Sequence, residues 1–420
     1  MKSETADYLI FSKEFTKQEP LPAESIERAV EVMQSGRLHR YNTAAGETSD
    51  ASLLEQEFAA YIGTKYCLAC ASCGSALYLA LKSAGVLPGD KILANAYTLA
   101  PVPGAMVNAG GVPVLIEITD DYTIDLDDLS KKANESGAKY FLLSHMRGHM
   151  ADMDRICEIC DTYGLFMIED CAHTLGAKWD GRPSGTFGNI ACYSTQTYKH
   201  MNSGEGGLMV TNDDVVIARA ILYSGAYMLY EKHISRPPME VFEPLKNFIP
   251  NFSMRMDNLR AALLRPQLRN LETQCRRWNE RYEVLETALN KIDHIRVPGR
   301  PEKEHPVGSS IQFTLEGVSR SQVESFIAEC GRRGVEIKWF GWDEPKGFTS
   351  SFEHWKFIHD IPALPVTRRI LDFMCDFRIP LTFSLNDCRT VATVIRQVAD
   401  CIFKMVLHEA IEKRSFKPDS

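Results

Sequence analysis

The sequence predicts an α/β fold: a large domain with a mainly parallel sheet wrapped by helices, followed by a smaller C-terminal α+β domain. Three observations predict it. Short apolar runs alternate with ten-residue stretches of helical periodicity through the first half of the chain, which is how a parallel sheet with crossover helices reads. Several of these runs, 164–168 (Gly-Leu-Phe-Met-Ile) among them, are continuously apolar, as strands covered on both faces are. At 420 residues the chain is also longer than one core usually grows, and an amphipathic helix after residue 265 offers a bridge to a second unit. The expected division is 1–265 for the large domain with an N-terminal arm, and 266–420 for the crossing helix and the small domain.

Residues 1 to 50 open with an extended, proline-containing arm. Its first five residues, Met1 to Thr5, are polar and carry no signal-peptide core. A helix follows over 22–35, where Ile26, Ala29, Val30 and Met33 recur at helical spacing, and then a loop from Gly36 to Tyr41. A helix over 52–62 leads to a strand at 66–70. The small residues Ala71-Ser72-Cys73-Gly74-Ser75 run straight into helix-favouring residues at 76–84. Strand, small residues and helix start form an arrangement in which backbone amides and the positive helix end hold a phosphate. Taken alone, a plain helix cap by Ser72 or Ser75 is the simpler reading.

A strand at 90–94 runs into Asn95-Ala96-Tyr97-Thr98, which opens another helix. A strand at 112–118, a helix at 126–136, a strand at 139–143, a glycine loop at 145–150 and a helix at 153–163 continue the alternation. Right-handed crossovers leave the carboxyl ends of such strands on one rim.

On that rim stands Glu169-Asp170, which ends the run 164–168. A carboxylate there lies where open α/β sheets bind ligands. A strand at 190–194, closing in Ser194, precedes Thr195 to Lys199 and then Gly204-Glu205-Gly206-Gly207, before strand character resumes at 208–211. A cofactor of the pyridoxal phosphate type needs a lysine amine for its Schiff base and a carboxylate to hold its pyridine nitrogen protonated. Lys199 and Asp170 are placed to supply both. As isolated residues, two solvated side chains on unrelated loops would be the simpler reading.

Beyond a helix at 213–223, residues 224–252 carry Gly225 and several prolines and read as a long irregular excursion. The chain enters a helix near Leu259. A long helix over 265–291 repeats Leu268, Leu271, Cys275, Trp278, Tyr282, Leu285 and Leu289 at spacings of three and four. The small domain then has strands at 311–315 and 335–339, a helix at 321–332, a last helix at 387–410, and a polar tail at 415–420.

The segments Ile168-Glu169-Asp170-Cys171-Ala172-His173-Thr174-Leu175-Gly176-Ala177, Gly185-Thr186-Phe187-Gly188 and Ser194-(x)4-Lys199-(x)4-Gly204-Glu205-Gly206-Gly207 together resemble the DegT/StrS family of sugar aminotransferases. The resemblance spans most of 25–400 and is densest between Gly74 and Ala262. It implies the aspartate-aminotransferase fold, pyridoxal 5′-phosphate as cofactor, and a homodimer with active sites shared across the interface. It further implies transfer of an amino group from glutamate or glutamine to a keto group of a nucleotide-linked sugar or cyclitol.

By the same resemblance, Lys199 holds the cofactor and then acts as base and acid of the proton shift, while Asp170 protonates the ring nitrogen. Gly74 and Ser75 match the family's Gly-Thr/Ser pair, Tyr97 its aromatic stacked on the pyridine, and His173 a Gln/His position near the phenolic oxygen. Ser194 is expected at the phosphate. Tyr41 lies in a loop that reaches toward the active site and is a candidate substrate contact. Arg255 falls on the Arg of an Asn-x-Arg-Met segment ahead of Ala261-Ala262, whose Asn meets the cofactor phosphate of the neighbouring subunit. Here Ser253 stands at the Asn position and Asn251 two residues earlier, and either side chain can donate. The run Trp339-Phe340-Gly341-Trp342 departs from the His-Tyr stretch common in the family, so the substrate is not carried over.

Composition sets the remaining limits. A net charge of −8 and an isoelectric point near 5.8 give no footprint for nucleic acid. The twelve cysteines follow no disulfide spacing, and Cys67, Cys70, Cys192 and Cys330 lie in apolar runs, so a reducing cytoplasm is expected. Cys157-(x)2-Cys160 and His145-(x)3-His149 find no second pair to complete a tetrahedral set, so no metal is expected. No apolar run approaches the roughly eighteen residues of a membrane span.

Three other activities fit the fold. A sugar 3-dehydratase of this family replaces the Schiff-base lysine with histidine, which Lys199 opposes. A synthase like 3-amino-5-hydroxybenzoate synthase fits the 151–154 and 170–173 segments equally well. A pyridoxal-binding regulator calls for a DNA-binding module or basic arm, and none stands in these residues.

Overall fold

The computed structural model describes residues 8–415, with side chains through Phe403. The polar opening at residues 1–5 and the tail beyond 415 lie outside the described residues. In chain order the helices are α1 (Ala23–Ser35), α2 (Asp50–Ile62), α3 (Cys73–Ala84), α4 (Pro101–Asn108), α5 (Leu126–Ser136), α6 (Met153–Tyr163), α7 (Asp214–Ser224), α8 (Asn258–Leu289), α9 (Arg320–Arg332), α10 (Pro365–Leu371) and α11 (Leu385–Ser415). The strands are β1 (Tyr66–Cys70), β2 (Lys91–Asn95), β3 (Val112–Ile116), β4 (Tyr140–Ser144), β5 (Phe166–Asp170), β6 (Lys178–Trp179), β7 (Arg182–Pro183), β8 (Ile190–Ser194), β9 (Gly207–Thr211), β10 (Ile295–Arg296), β11 (Glu304–His305), β12 (Ser310–Leu315), β13 (Lys338–Trp339) and β14 (Met374–Arg378).

Seven strands form the large sheet in the order β1-β9-β8-β5-β4-β2-β3. Only β9 runs against the rest, pairing antiparallel with both β1 and β8. Both faces are covered, which explains the unbroken apolar runs. Phe141, Met167 and Ala191 point into one core with α2, α6 and the first part of α8, while Leu142, Ile168 and Cys192 point into the other with α3 and α7. Asp152 caps α6 through the backbone amides of Asp154 and Arg155, and Gly164, at φ 63°, ends it directly ahead of β5. Those two stops give α6 the bounds that the sequence predicts.

A four-stranded antiparallel sheet, β10-β12-β14-β13, forms the second unit with α9 and α11. Phe11 and Phe15 of the N-terminal arm pack into this second core, and the backbone amide of Phe11 bonds the Arg333 carbonyl. Helix α8 is continuous for 32 residues through Pro266, so the expected boundary at 265/266 falls inside one helix. In that turn the side chains of Ser25 and Gln267 both donate to the Leu263 carbonyl.

Several expectations are corrected locally. Helix α1 buries Ser25, Ala29 and Val32, whereas Ile26, Val30 and Met33 stay exposed as a stripe at i, i+4, i+7. No helix opens at Asn95, because its side chain turns back to the carbonyls of Tyr97 and Ser144 and the chain becomes helical only at Pro101. Turns, not a helix, follow Asp170. Of 335–339, only Lys338 and Trp339 join the sheet. Among the described residues no helix is long and apolar enough to cross a membrane.

Candidate active site

Strand alternation sends the two carboxylates at the end of β5 to opposite faces. Glu169 is fully buried: Oε1 accepts the amides of Phe187 (2.8 Å) and Gly188 (2.7 Å), and Oε2 accepts that of Gly185 (3.0 Å) and lies 3.1 Å from His145 Nε2. With Cys171 these two residues form a trio of metal-ligand types, yet the carboxylate is already taken up in folding the 185–188 turn. Asp170, on the other face, is buried beside Ser144 across the β4–β5 ladder. Ser144 Oγ donates to Asp170 Oδ2 (2.8 Å) and accepts in turn from Thr98 Oγ1 (2.8 Å), while the Ala172 amide donates to Oδ1 (3.1 Å). This chain of donors fixes the carboxylate and leaves it lone pairs for one further N–H.

Lys199 follows β8 in a turn closed by backbone bonds from Thr195 to Gly206 and from Thr197 to Gly204. Its Nζ stands 2.9 Å from Nε2 of His173. Burial, with the nearby Arg147 charge, pulls the amine down to about 7, against the opposing pull of Asp170. Burial and the Lys199 charge hold His173 well below the usual imidazole range. Near neutral pH the imidazole is therefore uncharged, and about half of the lysine amine is free to act as a nucleophile.

The start of α3 completes this cluster. Ser72 caps the helix by accepting the Ser75 amide (3.0 Å), and its Oγ lies 2.9 Å from Ser75 Oγ. The first-turn amides at Cys73 and Gly74 have no acceptor within the helix, and the Cys73 thiol feels the charges of both Asp170 and Lys199. Gly207 explains its own identity here: a Cβ would run into the Ser72–Cys73 peptide. Ser194 pairs with Gly207 across the β8–β9 ladder and uses its Oγ to accept the Gln196 amide (3.3 Å). Tyr97 is buried against the edge of Phe340 at 5.5 Å between centroids, and its hydroxyl, which the Arg147 side chain reaches, makes no hydrogen bond of normal geometry.

The other sequence-predicted residues gather elsewhere in the chain. Tyr41 is buried, with its hydroxyl 2.8 Å from His233 Nε2, so it shows no free edge within this chain. Arg255 donates to the Gly225 carbonyl (2.7 Å). Asn251 and Ser253 are exposed and bond each other, with the Ser253 amide 2.8 Å from Asn251 Oδ1. Among the described residues, none of these four bonds to the Lys199 cluster.

Sequence reasoning missed a set of charged residues beside Lys199. Arg147, in the turn after β4, is buried at φ 57° and pairs with the fully buried Asp376 at 2.5 Å. Gln312 also donates to Asp376 (2.7 Å), and His149 holds Gln312 (2.8 Å). Lys338 and Arg378 flank Asp376 on β13 and β14. Arg147 was discoverable from its place just past a strand's carboxyl end. Arg378 was not, because Asp376 and Arg378 break the apolar pattern that would have revealed β14.

The family model described as the DegT/DnrJ/EryC1/StrS aminotransferase family matches residues 21–393. A pleiotropic regulatory protein of Geobacillus stearothermophilus is 30% identical over 292 residues, covering 66% of this chain and 72% of its own. An L-glutamine:2-deoxy-scyllo-inosose aminotransferase of Streptoalloteichus tenebrarius is 32% identical over 273 residues, 64% of each chain. Among solved structures, the aminotransferase TlmJ from Streptoalloteichus hindustanus superposes with a TM-score of 0.78 at 20% identity, covering 92% of this chain and 99% of that one. At that identity the likeness is one of fold.

Proposed function

We propose, for a chain that belongs to the DegT/DnrJ/EryC1/StrS aminotransferase family, that it moves an amino group from glutamate or glutamine onto a keto group of a nucleotide-linked sugar or cyclitol. The chain is a transaminase whose cofactor is pyridoxal 5′-phosphate. The residues present suit that group: a buried amine down to about 7, a carboxylate with a lone pair to spare, and a helix start with free amides. When bound, the cofactor supplies an electron sink for negative charge at the substrate carbon.

The chain's own residues supply the rest. Lys199 Nζ would hold the cofactor and, as a free amine, would take and return the proton at the substrate carbon. Asp170, held by Ser144 and the Ala172 amide, accepts the ring N–H and keeps it protonated. His173 orients the lysine amine. The Gly74 amide with Ser75 and Ser194 holds the phosphate, and Tyr97 walls the ring. Asn251 or Ser253, both exposed, serves the phosphate of a second copy. The exposed stripe of Ile26, Val30 and Met33 supports such a homodimer, and the unpaired, mostly buried cysteines suit a reducing cytoplasm.

The observation that carries this reading is the 2.9 Å approach of the lowered Lys199 amine to His173, with Asp170 as its opposing charge. The test is the near-ultraviolet and visible absorbance of the loaded protein before and after glutamate or glutamine, followed by product analysis with keto-sugars. A donor-dependent bleaching and an amino-sugar product are expected. Absorbance that persists unchanged in Lys199→Ala contradicts the assignment, and an aromatised product would point to the synthase chemistry instead.

A further inference from the structure

Three cations from three separate segments converge on one ring. The Arg147 guanidinium lies 5.5 Å from the centroid of Phe348, the Lys338 ammonium 5.0 Å and the Arg378 guanidinium 5.1 Å. One buried carboxylate answers them: Asp376 takes Arg147 at 2.5 Å and the Gln312 amide at 2.7 Å. The other acid whose charge reaches Lys338 and Arg378 is Glu336, which is exposed. Among the described residues, neither Lys338 nor Arg378 makes an ion pair or a side-chain hydrogen bond. Arg378 instead stacks at 3.9 Å on the ring of Tyr198, the residue before Lys199. A stacked guanidinium keeps its N–H fork free in the plane.

Like charges gathered in a partly desolvated place repel, and the effect is visible here. Burial and the charges of Arg378 and Arg147 bring Lys338 down to about 8, against the pull of Asp376, and burial with Arg147 lowers Arg378 as well. Beside the cluster Arg147 Nε and Tyr97 Oη make no hydrogen bond of normal geometry, although the Arg147 side chain reaches the Tyr97 hydroxyl. Surplus positive charge, unfilled hydrogen bonds and a free guanidinium fork are the properties of a site for a planar anion. Its location is set by Lys199, whose amine both Arg147 and Arg378 depress.

We propose that Arg378, Arg147 and Lys338 bind a carboxylate of the substrate next to the Lys199 amine, with Arg378 making the paired contact. The proposal rests on the transaminase reading. The carboxylate comes from one of two sources: the amino acid donor, which bears it on the reacting carbon, or an acidic sugar acceptor. The two half-reactions separate them.

The test uses the loaded protein and its Arg378→Gln, Arg378→Lys and Lys338→Met variants. The donor arm follows cofactor absorbance with glutamate or glutamine alone. The acceptor arm follows the aminated protein with a keto-acid sugar and with its neutral analogue. Binding of glutarate, as a carboxylate probe, is measured by calorimetry. In one arm R378Q raises the half-saturating concentration of the carboxylate substrate about tenfold or more, with R378K recovering part of the loss. R378Q and K338M both weaken glutarate relative to the wild type. Unchanged half-saturation in both arms, or a fall in turnover alone, overturns the proposal, as does wild-type protein that does not bind glutarate. If the transaminase reading itself fails, the wild-type protein shows no absorbance change with any donor. Failure of the carboxylate site leaves that change intact.

Discussion

The amine of Lys199 stands 2.9 Å from Nε2 of His173, and both groups hold a proton less readily than they do in water. Burial lowers both, and the charge of each would repel the other. Arg147 adds to the effect on the lysine, while Asp170 opposes it.

Capture of pyridoxal phosphate by the cofactor-free protein therefore becomes half-maximal near pH 7, not near the value of about 10.4 for an ordinary lysine. The sign follows from the neutral amine being the reactive form: capture is slow below pH 7 and reaches its plateau above it. Borohydride trapping across that range, read by mass spectrometry at Lys199, measures the midpoint. Arg147→Met removes a charge that lowers Lys199, so its midpoint moves up. A midpoint that stays with the wild type in R147M would count against the electrostatic account.

The Thr98–Ser144–Asp170 chain of hydrogen bonds orients the acid without touching any other group of the site. Ser144→Ala removes one bond worth about 1 kcal/mol and is expected to lower kcat by roughly five- to tenfold with KM little changed. Asp170→Asn exchanges an acceptor for a group that cannot hold the ring nitrogen protonated, with a loss of about 10²–10⁴-fold. Steady-state kinetics of both variants, with cofactor content checked by absorbance, separates orientation from binding.

Glu169, one residue earlier, is a folding residue. It receives three backbone amides of the 185–188 turn and contacts His145. Glu169→Gln faces at least one of those amides, that of Gly185, with an NH₂ group, at a cost of about 2–4 kcal/mol. Denaturant titration of E169Q, compared with the milder S144A, measures it.

The neighbouring roles of Glu169 and Asp170 show what sequence can and cannot supply. Strand ends and the Lys199 turn were legible because each depends on local chemistry: apolar runs, and glycines that permit tight turns. The continuity of α8 through Pro266 was hidden, because proline argues for a break, whereas the helix runs on with the Ser25 and Gln267 side chains bonded to the neighbouring Leu263 carbonyl. The face of α1 was misread for a similar reason. Ile26, Val30 and Met33 point away from their own chain while Ala29 and Val32 are buried, so periodicity found apolar spacing but not its direction. Lys338, Asp376 and Arg378 meet through pairing of β13 with β14, and Arg147 joins them from the turn after β4, relationships with no trace in linear spacing.

A second buried network ties the 36–41 loop to the excursion after α7. Both oxygens of Glu55 take the Arg40 guanidinium, at 2.7 and 2.8 Å, and one of them also accepts the Ala69 amide. His233 stands 3.2 Å from the other and reaches on to Tyr41. Burial alone would raise Glu55, but Arg40 and His233 outweigh it and hold the carboxyl at about 2. With the folded value below the ordinary 4.5, this pair contributes stability in full above about pH 4.5 and loses it as pH falls toward about 2. Glu55→Gln leaves Arg40 buried without its counter-charge, which at neutral pH costs about 3–5 kcal/mol. Below about pH 4.5 the wild type loses the same interaction as Glu55 takes up a proton, so the stability gap between the two proteins narrows with acid. Urea titrations at neutral pH and at successively lower pH measure that gap. A gap that stays constant would mean that shape, not charge, holds the loop in place.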